Sequence, residues 1–317
     1  MAVTSRPLSV SGITAALLAV ALAPPAAAQH PMPPRARPLH ARIASAELVV
    51  LGRIETVETG RIAVRTELAF TGEPPPRFEV KRAPSAPPPL AAGDRALLLL
   101  RGARSPYLLV DEPREVIRLV DESGAARWSE AVESLLAKRE DPEALVGIYV
   151  RWLADGPATL RELAFRGLTD PDAAFQPLSE PILLTLARTA LDPAQAAEAR
   201  RASAFLATRS AAATELLLSA VPGDGDGDGP AAVDLAVAFS ALRGGVVHRS
   251  PALEPALRRA LRHPAPEMRR TALRTVTVVP AGIAPSLTNE IAALVAREPD
   301  ETLREEAKRI LEKGRAF

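Results

Sequence analysis

Three aspartates that alternate with glycines are the first residues whose spacing points to a chemistry. Asp224, Asp226 and Asp228 stand at every second position, as the first carboxylates of a calcium-binding loop do. The twelfth position of such a loop needs an acid that binds through both oxygens, but here it is Leu235, and Pro230 occupies the seventh. The pattern favours an open turn between two helices, with a calcium-dependent structural module as an alternative.

Other catalytic or cofactor chemistry has little to build on. The chain has four His and no Cys, which excludes disulfides, thiolate nucleophiles and Cys-ligated metals. No His has metal-ligand spacing, and the sequence lacks a Gly-x-Ser-x-Gly elbow and a Gly-rich phosphate loop. Glu130 and Glu133 lie on one face of a predicted helix, and acids at this spacing are usually solvated. We expect neither catalysis nor a cofactor; the alternative is an enzyme or inhibitor site on the β-rich segment described below.

Length and charge set broad limits on the class of protein. The 317 residues are enough for two domains, and 47% of them are hydrophobic. Lys and Arg total 39 against 38 for Asp and Glu, so the summed electrostatic field is weak. The sequence therefore gives no reason to expect nucleic acid as a partner.

The N-terminus has the pattern of an export signal. Arg6 precedes the apolar stretch Ile13–Leu22, and the small residues Ala26–Ala28 follow it. We expect residues 1–28 to be a signal peptide that is cleaved after Ala28, and the protein to be periplasmic or secreted. No later apolar run is long enough to span a membrane. The proline-rich residues 29–40 are expected to form an extended tether.

Short apolar runs bounded by Gly and Pro predict strands between residues 41 and 121. Ile62, Val64, Thr66 and Leu68 alternate and are expected on one face. Six such strands predict a small antiparallel β-barrel. The predicted strands are Leu48–Val57, Arg61–Leu68, Phe78–Val80, Ala96–Leu100, Tyr107–Val110 and Val116–Val120.

The apolar period becomes helical after this segment. Residues 128–140 predict a connecting helix, and residues 141–317 predict five helix pairs. The first helix of each pair carries apolar residues at i, i+4, i+7 and i+8, as Leu145, Tyr149, Trp152 and Leu153 do, and these residues are expected in the core. The second helices start at positions 160, 199, 233, 268 and 303, which are 34 to 39 residues apart. Such a period is typical of helical solenoids.

Residues 263–273 and 298–307 resemble the second helix of HEAT repeats, and the resemblance extends over residues 141–313. It implies a solenoid that offers a surface to a protein or peptide, with a polar ladder between neighbouring units. Asp234 and His263 depart from the pattern in the third and fourth repeats. The ladder positions that match are Arg161, Arg200, Arg269 and Arg304 for the cation, with Asp155 and Asp192 for the turn acid.

Residues 46–52 together with 92–100 resemble small OB-like domains of exported proteins, including the netrin and TIMP-like group. The resemblance implies an OB-like barrel, although active members of the group commonly depend on disulfides that this chain lacks.

The sequence thus predicts an α+β two-domain protein: an OB-like β-barrel over residues 41–121, followed by a HEAT-like α-solenoid over residues 141–317. We expect an exported, non-catalytic protein-binding or scaffold protein. A basic region lies around the fourth pair. We interpret it as a solvated helix face, with a docking site for an acidic partner as the alternative. Its residues are Arg258, Arg259, Arg262, Arg269 and Arg270.

Overall fold

Alternating and helical segments of the sequence occupy separate parts of the computed structural model. The structure describes residues 37–82, 89–110, 116–119, 122–170, 173, 176–223, 235–279 and 287–314. The predicted signal peptide, most of the predicted tether and the Asp-Gly turn with Asp224, Asp226 and Asp228 lie outside the described residues.

Six strands occupy the positions that the short apolar runs predict. They are β1 Leu48–Glu58, β2 Arg61–Thr71, β3 Arg77–Lys81, β4 Arg95–Arg101, β5 Tyr107–Leu109 and β6 Val116–Leu119. Five of them follow the order β1-β2-β3-β5-β4, and β4 pairs back with β1, so the sheet closes into a barrel. Strand β6 pairs antiparallel with Arg95–Leu98 of β4.

The predicted antiparallel barrel is confirmed, with one parallel pair of strands. Val80 and Lys81 of β3 pair in parallel with Tyr107 and Leu108 of β5. The physical reason is the crossing from β3 to β5 through β4: β4 is antiparallel to β5, so β5 returns in the direction of β3.

Strands β1 and β4 are buried on both faces, which explains their continuous apolar runs. Val50 and Leu98 point into the barrel, whereas Val49 and Leu99 point outwards and belong to the core shared with the helices. A strand whose two faces are both covered needs no polar side. The barrel is therefore packed against the helical part.

Two helices cover this outer face of the barrel. The first, α1, spans Leu39–Ser45 and buries Leu39 and Ile43, one helical turn apart. The sequence patterns predict no helix there, because residues 29–40 have the composition of a tether and residues 41–121 have the pattern of strands. The second, α2, spans Glu122–Ala137, beginning before the predicted 128, and inserts Trp128 into the shared core.

Ten further helices follow in chain order and pack as five helical hairpins. They are α3 Pro142–Asp155, α4 Ala158–Thr169, α5 Glu180–Leu191, α6 Ala197–Ala207, α7 Ala211–Ser219, α8 Leu235–His248, α9 Leu253–Arg262, α10 Pro266–Val276, α11 Thr288–Arg297 and α12 Glu301–Gly314. The first helices α3, α5, α7, α9 and α11 contact one another in sequence, and the second helices α4, α6, α8, α10 and α12 do the same. The result is a two-layered α-solenoid.

The predicted core positions of the first pair are confirmed. Tyr149 is fully buried, Trp152 is 9% exposed, and both belong to the core that continues through the stack to Ala307. Asp141 accepts a hydrogen bond from the Ala144 amide (3.0 Å), with Pro142 at the first turn of α3, and both residue types favour the start of a helix.

The described residues from Arg37 onwards belong to one compact unit. None of the helices in the described ranges is both long and apolar enough to cross a membrane.

Truncation on either face of β4 is expected to destabilise the whole protein. Leu98→Ala and Leu99→Ala should each lower the free energy of unfolding by about 2–5 kcal/mol, since each removes a fully buried side chain. The measurement is urea denaturation, with Leu108→Ala, at an exposed apolar position of the barrel, as the control that changes little. A Leu99→Ala protein as stable as the wild type would show that the helices do not cover the barrel.

Candidate functional site

The predicted polar ladder has one fully formed rung, between the fourth and fifth helix pairs. Arg269 Nε and Nη2 donate to the two carboxylate oxygens of Glu298 at 2.6 and 2.7 Å, and Nη1 donates to the His263 carbonyl at 2.8 Å. Glu298 is 3% exposed, and the hydrogen bonds from Arg269 hold its pKa below the usual range. Glu298 thus fills the turn-acid position, where the sequence analysis named Asp155 and Asp192.

The other three ladder arginines do not form the same contact. Arg161 donates to the Gly156 carbonyl at 2.8 Å and lies 3.9 Å from the exposed Glu198 carboxylate. Arg304 donates to the Glu298 carbonyl at 3.0 Å. The Nε of Arg200 is buried without a hydrogen-bond partner in the described part of the chain. Arg161 and Arg304 thus each bond to a carbonyl in the turn of their own unit.

The two predicted turn acids lie at the C-terminal ends of α3 and α5. Asp192 accepts a hydrogen bond from the Ala194 amide at 2.9 Å, closing its own turn, and Asp155 lines a groove described below.

A second set of bonds, which the sequence analysis missed, joins successive units at the ends of their helices. Arg259 of α9 donates to the Leu218 carbonyl at 2.7 Å, and Arg297 of α11 donates to the Leu261 carbonyl at 2.9 Å. In the second layer, Arg209 Nη1 lies 3.2 Å from the Leu168 carbonyl oxygen. A cation at a helix C-terminus is favourable because the last carbonyls lack intrahelical partners.

The histidine at the end of α8 takes the same position relative to α6. His248 Nε2 lies 2.7 Å from the Thr208 carbonyl oxygen. These contacts have a sequence signal: a basic residue lies in or just after the last turn of a helix about once per unit.

The basic region of the fourth pair is engaged within the chain. Arg259 caps α7, and the remaining arginines each meet a carboxylate. These ion pairs are Arg258–Glu254, Arg262–Glu290, Arg269–Glu298 and Arg270–Asp300. This region therefore offers little uncompensated charge to a partner.

A buried polar contact joins α1 to the first helix pair. The His40 amide donates to the Tyr149 hydroxyl oxygen at 3.1 Å, and His40 Nδ1 lies 2.9 Å from the same atom. Because the hydroxyl oxygen accepts the amide proton, its own proton is free to be donated to a neutral Nδ1. Burial lowers the pKa of His40 although the Asp170 charge opposes this, and burial also raises the pKa of Tyr149.

A group of exposed apolar side chains lies on the second layer, in a groove between α6 and α8. Phe205 is 47% exposed, Phe239 50% and Val247 69%. These side chains, with Thr208, Arg209, Ser240, Arg243 and Gly244, line a volume of about 220 Å³, which we call the α6–α8 groove. Phe165 of α4 packs edge-on against Phe205, with ring centres 5.8 Å apart, so the aromatic surface continues onto the first pair.

A glycine sets the floor of the α6–α8 groove. A Cβ atom on Gly244 would lie 2.9 Å from the Cβ of Thr208 and 3.1 Å from a methyl carbon of Thr214. Glycine within a helix costs about 1 kcal/mol relative to alanine. The close approach of α8 to α6 offsets this cost and leaves the Phe side chains at the rim.

A second groove lies between α2, α3 and the start of α4. It has a volume of about 260 Å³, and its charged lining residues are Arg127, Glu130, Arg151 and Asp155. Two cations and two anions balance there, whereas both charged residues of the α6–α8 groove are arginines.

The outer face of the barrel carries a cross-strand row of arginines. By register, Arg95 is opposite Arg53, Arg53 is opposite Arg65, and Arg65 is opposite Arg77. Like charges directly opposite are destabilising, and acids offset most of them here. The pairs are Arg53–Glu67 at 2.9 Å, Arg95–Glu67 at 2.9 Å and Arg77–Glu55 at 3.3 Å.

No group of three or more His, Asp or Glu side chains suited to a metal occurs in the described ranges. Asp224, Asp226 and Asp228 were not part of that search because they lie outside those ranges.

Loss of the carboxylate at the formed rung is expected to destabilise the protein strongly. Glu298→Gln leaves a buried arginine without its counter-charge and should lower the free energy of unfolding by about 3 kcal/mol. The control is Glu254→Gln, which removes a partly exposed ion pair within one helix and should cost less than about 0.5 kcal/mol. Equal stability of the two variants in urea denaturation would contradict the argument.

Acid is expected to weaken the junction of α1 with the solenoid through His40. Its folded pKa lies below the unfolded value of about 6.5, so the unfolded state takes up the proton first as the pH falls. The free energy of unfolding should therefore decrease from about pH 6.5 downwards until the folded pKa is passed. Urea denaturation at neutral and mildly acidic pH should show a smaller decrease for His40→Gln than for the wild type, because the other histidines are unchanged. Identical decreases would remove His40 as the cause.

Comparison of the chain with protein-family models, curated proteins and solved structures gives no match. The function proposed below is therefore based on the geometry of the two layers and of the α6–α8 groove.

Proposed function

We propose that the chain is an exported, non-catalytic protein that binds another protein or a peptide through the second layer of its solenoid, and that it acts as a scaffold. The observation that carries the proposal is the exposure of Phe205, Phe239 and Val247 side by side in the α6–α8 groove. Apolar groups clustered in this way mark interaction sites, whereas single exposed apolar residues need no explanation.

The lining of the α6–α8 groove supports protein binding over small-molecule chemistry. Aromatic and Arg residues are enriched at protein interfaces, and this lining combines two phenylalanines with two arginines. It contains no acid or histidine that could act as a general base or a metal ligand. A groove of this composition can bind and orient a chain segment.

The layered stack supports the HEAT-like assignment of the helical part. Five helix pairs stack first helix on first helix and second on second, and residues 263–273 and 298–307 resemble HEAT second helices. A solenoid of this kind offers an extended surface across several units. The second layer is that surface in this proposal.

The strand order supports the OB-like assignment of the barrel. A ring closed as β1-β2-β3-β5-β4-β1, with β3 parallel to β5, resembles the arrangement of OB folds. In this proposal the barrel anchors the solenoid through α1 and α2, since its β1–β4 face is covered by them.

Export is proposed on the pattern of residues 1–28 alone. The absence of Cys is compatible with it, because the structure described here is held by packing and hydrogen bonds.

Substitution of the exposed aromatic residues is expected to abolish partner binding while leaving the fold intact. Phe205→Ser with Phe239→Ser removes the apolar rim from side chains that are about half exposed. The measurement is affinity capture from an extract of the source organism by the protein beginning at Gln29. Partners retained by the wild type should be lost from this double variant.

The matched control is Leu68→Ser with Leu108→Ser, which changes two similarly exposed apolar residues on the barrel. It should retain the partners. Loss of binding in the barrel control alone would overturn the proposal and move the site to the β-barrel.

A further inference from the structure

Aromatic and cationic side chains occupy successive levels along the α6–α8 groove. On α8, Arg243 follows Phe239 by four positions, so the two residues lie on one helix face, about 6 Å apart along the axis. On the other wall, Arg209 follows Phe205 by four positions and lies just beyond the end of α6, and both residues line the α6–α8 groove. Each wall therefore presents an aromatic ring and, one turn later, a cation.

The two walls run in the same direction, so these features lie at matching levels. His248 at the end of α8 bonds to the carbonyl of Thr208 just after α6, which places the C-terminal ends of the two helices together. The two rings consequently form one level of the α6–α8 groove, and the two guanidinium groups form the next.

The charge of the cationic level is not balanced by any acid that the structure describes. Arg209 donates to the Leu168 carbonyl and lies 3.3 Å from the Gln176 side-chain oxygen, both neutral acceptors. No ion pair involves Arg209 or Arg243 within the described residues. Helix α8 as described contains no Asp or Glu, and the only acid of α6 is Glu198 in its first turn.

The neighbouring helix shows that this is a local property. On α10, the arginines one turn apart are Arg270 and Arg274, and they meet Asp300 at 2.8 Å and Glu306 at 3.8 Å, respectively. The α6–α8 groove is thus where the second layer has cations beside exposed aromatic rings without internal carboxylates.

We infer that the partner is an acidic peptide segment in which an apolar side chain enters between Phe205 and Phe239 and a carboxylate binds Arg209 and Arg243. Alternate residues on one face of an extended chain are about 6.6 Å apart, close to the separation of the two levels. The segment that fits is apolar–x–Asp or apolar–x–Glu. This inference rests on the proposed function and specifies the partner of the same surface.

A peptide is favoured over a nucleic acid because the attraction is local. The whole chain carries 39 cationic and 38 acidic residues, whereas polyanion binding depends on several phosphate contacts along a basic surface. Two guanidinium groups next to an apolar pocket fit one or two carboxylates, with charge-assisted hydrogen bonds at short range.

The test uses a short fluorescent peptide that repeats Leu-Ser-Glu and is blocked at both ends, so that no terminal carboxylate contributes. Fluorescence anisotropy with the full mature chain should show binding. The matched peptide that repeats Leu-Ser-Gln should bind about tenfold more weakly, because a charge-assisted contact is lost. Added salt should weaken only the Glu peptide.

Two variants identify the groups responsible. Arg243→Gln has no internal ion pair to lose, and it should reduce the preference for the Glu peptide by several-fold without changing the thermal stability. Arg139→Gln, at an exposed position outside the α6–α8 groove, should preserve the preference in full.

The inference is overturned if the two peptides bind equally, if neither binds at the highest soluble concentration, or if a single-stranded oligonucleotide binds more tightly than the Glu peptide. The proposed function is judged separately. Equal peptide binding that is nevertheless lost in the Phe205→Ser, Phe239→Ser variant would leave it standing, whereas peptide binding that survives in that variant would overturn both.

Discussion

No helix pair of this protein can bury its apolar stripe alone, and the rest of the structure follows from that constraint. A single hydrophobic core continues from Val49 on the outside of the barrel, through Trp128 of α2, to Ala307 of α12. Each unit completes the core of the one before it. The barrel enters the same arrangement because β1 and β4 offer an apolar outer face, which α1 and α2 cover. The proposed binding surface is therefore the outer face of a layer, and not a cavity within a domain.

Hydrogen bonds at the helix ends complement this shared core. Arg259, Arg297 and His248 each reach from one unit to a C-terminal carbonyl of a helix in the preceding unit. Such bonds satisfy carbonyls that would otherwise lack partners and fix the spacing of neighbouring units. They also put cations on the stack without requiring acids nearby. Arg209 is the clearest case, since its acceptors are a carbonyl and an amide oxygen.

Much of the fold could be predicted from the sequence because burial imposes a period. Short apolar runs bounded by Gly and Pro located the six strands, and the recurring i, i+4, i+7, i+8 pattern located the first helix of each of the five pairs. Helix α1 could not be predicted, because its seven residues span too few turns to show a helical period. Its burial also depends on the barrel beneath it. The parallel β3–β5 pair also depends on three-dimensional connectivity, which alternation does not encode.

The candidate site was harder to predict, for a related reason. Phe205 and Leu206 are adjacent apolar residues of one helix, yet one is half exposed and the other is fully buried. The sequence alone does not fix where the buried stripe ends. The ladder shows the same difficulty: Arg269 could be assigned from its position, but its partner Glu298 lies in the next unit. Only the register between units, set by packing, reveals which charges meet.

The central claim, that partners bind at the α6–α8 groove, is tested most directly by photo-crosslinking in the native cells. A photoreactive phenylalanine analogue in place of Phe239 should form a covalent adduct with a partner, while the same analogue in place of Leu108 on the barrel should form none. An adduct from position 108 together with none from position 239 would contradict the account and assign partner binding to the β-barrel.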